Sequence, residues 1–75
     1  MTRPPAITAR QLIQVLRKLG FQEIRSRGSH HRFVHSDGRK TTVPVHAGRD
    51  IPKGLLHMII TMDLEMTMDQ FVALL

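Results

Sequence analysis

Apolar residues recur at helical spacing through Leu12, Val15, Leu16 and Leu19, with Arg10, Gln14, Arg17 and Lys18 on the rest of the wheel. Thr8-Ala9-Arg10-Gln11 has the form of a capping box, and Ile7 and Leu12 sit where a hydrophobic staple would hold the chain's entry. Gly20 follows the last periodic leucine as a left-handed cap, with Phe21 placed to fold back onto Leu16. The pattern predicts one helix over this stretch, preceded by an arm at residues 1–7 stiffened by Pro4-Pro5.

The period then changes. Three extended segments are expected, at residues 22–27, 30–35 and 40–45. Gly28-Ser29 joins the first two, and Ser36-Asp37-Gly38-Arg39 is a turn whose Asp-Gly pair supplies positive φ. Pro44 cannot donate to a ladder, so the third strand belongs at a sheet edge. Alternation sorts the two faces. Ile24, Phe33, Thr41, Val43 and Val45 point toward the helices, while Arg25, Arg27, His30, Arg32, Lys40 and Thr42 point away, together with Glu23 and the misfit Val34. The opposite register for the second strand would bury Arg32 and expose Phe33, which costs more.

Asp50-Ile51-Pro52 opens a second helix, where a proline's missing N–H is harmless. Leu55, Leu56, Met58, Ile59, Ile60 and Met62 are apolar nearly all round, predicting a mostly covered helix. Thr67-Met68-Asp69-Gln70 is a second capping box, starting a short helix over residues 67–75 with Phe71, Val72 and Leu75 on one side, against helix 1 or 2 or a second chain. The order α-β-β-β-α with a small C-terminal helix is that of a two-layer α+β domain occupying residues 1–75 as one unit.

Charge adds a direction. All 11 Lys and Arg lie within residues 1–53, alongside only Glu23, Asp37 and Asp50, whereas residues 54–75 carry Asp63, Glu65 and Asp69 and no base. A basic face for a polyanion and an acidic, apolar end for packing or a partner follow from that asymmetry. A solvated basic surface is the bland alternative. There are no cysteines, no run reaches the ~18 apolar residues needed to span a bilayer, and Met1-Thr2-Arg3-Pro4-Pro5 lacks a signal peptide's apolar stretch. The expectation is a soluble cytoplasmic protein with no membrane contact.

On the basic face, Gly28-Ser29-His30-His31-Arg32-Phe33 combines imidazoles, a guanidinium and backbone N–H groups able to face an anion. RNA carries its own nucleophile, so cleavage needs only a base, an acid and positive charge for the pentacoordinate transition state. His30 is the candidate base or acid; Arg25, Arg27, Arg32 and Lys40 are candidate phosphate ligands, with Gly28 and Ser29 as a small anion nest. His31 and His35 point the opposite way from His30 and suit packing or hydrogen bonding; His46 suits a loop and His57 a structural role. A metal is not expected. His31 and His35 share a strand face but lie ~13 Å apart along it, and no carboxylate or cysteine stands beside them in sequence.

These residues resemble the HicA toxins, small mRNA interferases of bacterial and archaeal toxin–antitoxin systems. The resemblance rests on Leu16-Arg17-Lys18-Leu19-Gly20-Phe21, Gly28-Ser29-His30-His31-Arg32-Phe33, Thr42-Val43-Pro44-Val45-His46 and Asp50-Ile51-Pro52-Lys53-Gly54, four motifs in order across roughly Leu12 to Ile60. It implies a fold like a double-stranded-RNA-binding domain, ribosome-linked or free mRNA as substrate, neutralisation by a HicB-type antitoxin, and His30 as the essential histidine; the chemistry itself calls for no cofactor. Leu55 stands where the family often has Thr, and Met62-Asp63-Leu64-Glu65 lacks the glycine or small residue that commonly closes helix 2. Two other classes compete with a metal-independent endoribonuclease: a non-catalytic RNA-binding module using the same face, and an interaction protein pairing through residues 54–75, as a homodimer or with another chain.

Overall fold

The structure, a computed structural model, describes residues 3–75; Met1 and Thr2, the start of the expected arm, lie outside the described residues. Helix α1 spans Ala9–Leu19. Its capping box closes as the sequence predicts: the Gln11 N–H donates to Thr8 Oγ1 at 3.3 Å, and the Thr8 N–H donates to Gln11 Oε1 at 2.9 Å. Ile7 and Leu12 are both buried. At the other end Gly20 adopts φ 97°, while the Phe21 N–H reaches the Leu16 carbonyl at 2.9 Å and the Gly20 N–H reaches that of Arg17 at 3.1 Å. That pair of bonds is a Schellman motif, and it turns Phe21 into the core.

Three antiparallel strands follow in the order β1 (Gln22–Arg27), β2 (His30–Val34) and β3 (Lys40–Pro44). β1 offers six residues to five on β2, yet both ends are pinned, Gln22 opposite Val34 and Arg27 opposite His30. One residue must therefore be extra, and the register slips between Glu23 and Arg25. This bulge corrects the expected alternation at two positions. Ile24 does not point toward the helices but stands 58% exposed. Glu23 pairs with Phe33 on the core side and receives His31 Nδ1 at 3.1 Å. Arg25 and Arg27 keep their expected direction, because the slip restores the alternation after Ile24.

The chain then passes through α2 (Lys53–Met58), a π-helical turn (Ile59–Asp63) and α3 (Met68–Val72). In an unbroken α-helix the residue one turn after Ile59 would be Asp63, and a carboxylate would follow that buried isoleucine inward. The wider turn instead bonds the Leu64 N–H to the Ile59 carbonyl at 2.9 Å, so Leu64 enters the core and Asp63 stays half-buried at its rim. The turn and the residue after it are each held from the sheet side, by Thr41 Oγ1 of β3 donating to Asp63 Oδ2 at 2.8 Å and by Arg39, just before β3, donating to the Leu64 carbonyl at 2.7 Å. The expected coverage of helix 2 is incomplete: Leu56, Ile59 and Ile60 are buried, but Met58 and Met62 are exposed. The third helix ends at Val72, short of the expected residue 75, and of the expected apolar trio only Phe71 is buried while Val72 and Leu75 face solvent. α3 is tied to α1 by Lys18 Nζ donating to the Leu74 carbonyl at 3.0 Å.

Together these elements form the α+β layout expected from the sequence, with Leu12, Val15, Leu16, Phe33, Val43, Leu56, Ile59, Ile60 and Phe71 in one core between helices and sheet. The β2–β3 loop is anchored to it by polar contacts. His35 Nε2 donates to the Leu19 carbonyl at 2.9 Å, its Nδ1 accepts the Asp37 N–H at 3.1 Å, and its ring meets Phe21 edge-on at 5.1 Å. Both ring nitrogens are thereby engaged within the fold, which gives His35 the packing role expected of it.

Glu65, just past the π turn, holds φ 54°, a left-handed position that costs a non-glycine residue roughly 1 kcal/mol. Glu65→Gly should raise the thermal midpoint by a few degrees; an unchanged or lower midpoint would show that the side chain contributes more than the backbone strain costs. The Asp37 carboxyl is held below its ordinary value of 3.8, first by the Arg39 backbone N–H and then, against partial desolvation, by the Arg39 guanidinium and His35. A lowered folded-state pKa contributes stability above the ordinary carboxylate range and loses it as pH falls through the folded value. The midpoint of Asp37→Asn should therefore lie below wild type at pH 7 and converge with it on titration toward pH 3; a gap that stays constant would contradict this.

Candidate nucleic-acid interface

Burial of Phe33, Thr41 and Val43 on the helix side leaves the alternate residues of β2 and β3 on the opposite face. Two cross-strand rows result. Arg27, His30 and Pro44 form one, and Arg25, Arg32 and Thr42 form the other. Side chains within such a row have Cβ atoms ~5 Å apart. Arg25 thus faces Arg32, a like-charge pairing that destabilises a sheet unless something outside the chain neutralises it.

Nothing within the described chain does so. Among the described residues no carboxylate lies within ion-pair distance of Arg25, Arg27, Arg32 or Lys40. Arg32 is steadied by donating from Nη1 to Thr42 Oγ1 at 2.9 Å, which orients the guanidinium without reducing its charge. His30 is exposed and hydrogen-bonds to no described side chain, so both ring nitrogens are available.

Two adjoining grooves meet over His30, Arg32 and Thr42. The first, of about 550 Å³, adds Ile24, Arg25 and Arg27. The second, of about 420 Å³, adds Lys40 and Pro44 and is walled by Leu55 and Met58 from α2 and Asp63 from the π turn. The structure thus gathers Arg25, Arg27, His30, Arg32 and Lys40 around one continuous depression. Gly28, at φ 59°, and Ser29 form the turn at its end and line neither groove; the Ser29 carbonyl accepts the Val45 N–H at 2.7 Å. Another cavity, of about 640 Å³, lies among Arg3, Pro4, His57, Thr61, Thr67, Met68 and Asp69 and includes none of these site residues.

Sequence reasoning did not place Ile24, Leu55, Met58 or Asp63 at this site. Ile24 arrives there only because of the bulge. Asp63 arrives through the π turn, which helical periodicity in the sequence does not reveal. Among the described residues no three His, Asp or Glu side chains are grouped to share a metal ion, and no helix is long and apolar enough to cross a membrane.

A search of curated proteins finds no match to the chain. The family model for the HicA toxin of bacterial toxin–antitoxin systems matches residues 9–64, which run from the start of α1 to the residue after the π turn and include the whole basic face. The chain belongs to the HicA toxin family.

Proposed function

We propose that this toxin is a metal-independent endoribonuclease, an mRNA interferase acting in the cytoplasm and neutralised by a HicB-type antitoxin. The observation that carries the reading is His30, an exposed imidazole within a depression whose four cations have no internal carboxylate partner. Imidazole exchanges protons at neutral pH and can take the 2′-OH proton or protonate the departing 5′-oxygen. Arg32, fixed by Thr42, and Lys40 hold the phosphate and stabilise charge as the pentacoordinate state forms. Arg25 and Arg27 extend the contact to the neighbouring phosphates along the strand, and Gly28 and Ser29 close the end of the path with backbone groups. The antitoxin binds the acidic end of the chain, residues 54–75, where Met58, Met62, Val72 and Leu75 are exposed.

Incubation with RNA in the presence of a chelator should yield 2′,3′-cyclic phosphate ends. His30→Ala should reduce cleavage by ~100-fold or more while RNA is still bound, and should relieve the growth arrest caused by expressing the wild-type chain alone. Binding by both proteins with cleavage by neither would instead identify a non-catalytic RNA-binding module. Neutralising Arg25, Arg27, Arg32 and Lys40 one at a time should each lower the salt slope of single-stranded RNA binding by about 0.7. A slope unchanged in all four variants would place the RNA elsewhere.

A further inference from the structure

Asp63 is the one carboxylate lining the depression, and its presence there needs a reason. A negative charge in a groove for a polyanion opposes phosphate binding. It is not a counterion: among the described residues no cation lies within ion-pair distance of it. Nor does packing demand a charge. Its single internal bond is from Thr41 Oγ1 to Oδ2, which any neutral acceptor would satisfy, and Oδ1 receives nothing from a described residue. The side chain is nevertheless held in place, half-buried, by a buried threonine and a π turn that keeps it out of the core.

We propose that Asp63 reads a nucleobase. This rests on the reading of the face as an RNA site and names the substrate feature it selects. With the phosphate on Arg32 and Lys40 and the ribose at His30, the base next to the scissile bond falls toward the wall formed by Leu55, Met58 and Asp63. The apolar pair offers a surface for the ring's π-face. The unengaged carboxylate oxygen accepts a hydrogen bond from an exocyclic amino group, as carried by adenine, cytosine or guanine. Uracil has no amino group, and its one N–H is flanked by two carbonyl oxygens that a carboxylate repels. Asp63 therefore favours amino-bearing bases over uracil at one position beside the cut.

The test compares the full-length wild type with Asp63→Asn, whose Oδ1 can still accept from Thr41, so that thermal midpoints confirm both are folded. A random-sequence RNA pool is cut and the new ends are mapped. Wild type should cut beside adenine, cytosine or guanine ~10-fold more often than beside uracil, and the variant should lose that preference. An unchanged base profile in Asp63→Asn overturns the inference. So does an equal loss of rate at every site, which would make Asp63 a proton-transfer group. Should wild type cut nothing, the nuclease reading fails, and binding decides the inference separately. Wild type should then bind oligo(C) and oligo(A) more tightly than oligo(U), and the variant should bind all three alike. Equal wild-type affinities would sink it.

Discussion

The buried ring of Phe33 fixes everything on the opposite side of the sheet. Side chains on β2 alternate, so placing Phe33 in the core sends His30 and Arg32 outward in the same step. Slipping by one residue would trade roughly 2–3 kcal/mol of aromatic burial for the larger cost of an unpaired guanidinium in the core. The two partner strands inherit the choice. Thr41 and Val43 fill the core beside Phe33, and Arg25, Arg27, Lys40 and Thr42 are carried to the outer face with His30. A packing decision on one face thus sets which charged groups the other presents.

How much of this was legible in sequence depended on whether the signal was local. The Thr8–Gln11 and Thr67–Gln70 boxes, the Gly20 cap and the Asp37-Gly38 turn each lie within a few residues of the contacts they make, and each forms as its motif implies. The direction of β2 and β3 was legible too, since strict alternation holds there. Ile24 and Glu23 were misplaced because a bulge is a property of two strands counted against each other. Six residues facing five cannot be seen in β1 by itself. Asp63 was overlooked as a site residue for a similar reason. Its position depends on Leu64 displacing it from the core and on Thr41, 22 residues earlier, catching it at the rim.

The same contrast separates the histidines. His35 is consumed by bonds to the Leu19 carbonyl and the Asp37 N–H, and His31 by Glu23, so each is spoken for within the fold. His30, adjacent to His31 in sequence, has no such bond to a described side chain and shares its groove with cations. Two neighbouring residues of one type are thereby divided between a bond inside the fold and an open, cationic groove by a single peptide unit of pleat.

The slip at Ile24 bears on the open edge of the sheet. β1 has only one neighbour in the sheet, so its outer N–H and C=O groups lie open as a template on which another extended chain could be laid down. A bulge breaks the even spacing such stacking requires, and Arg25 and Arg27 would confront their own copies across any self-pairing. The irregularity that brings an isoleucine to the surface also discourages strand-by-strand growth into fibres.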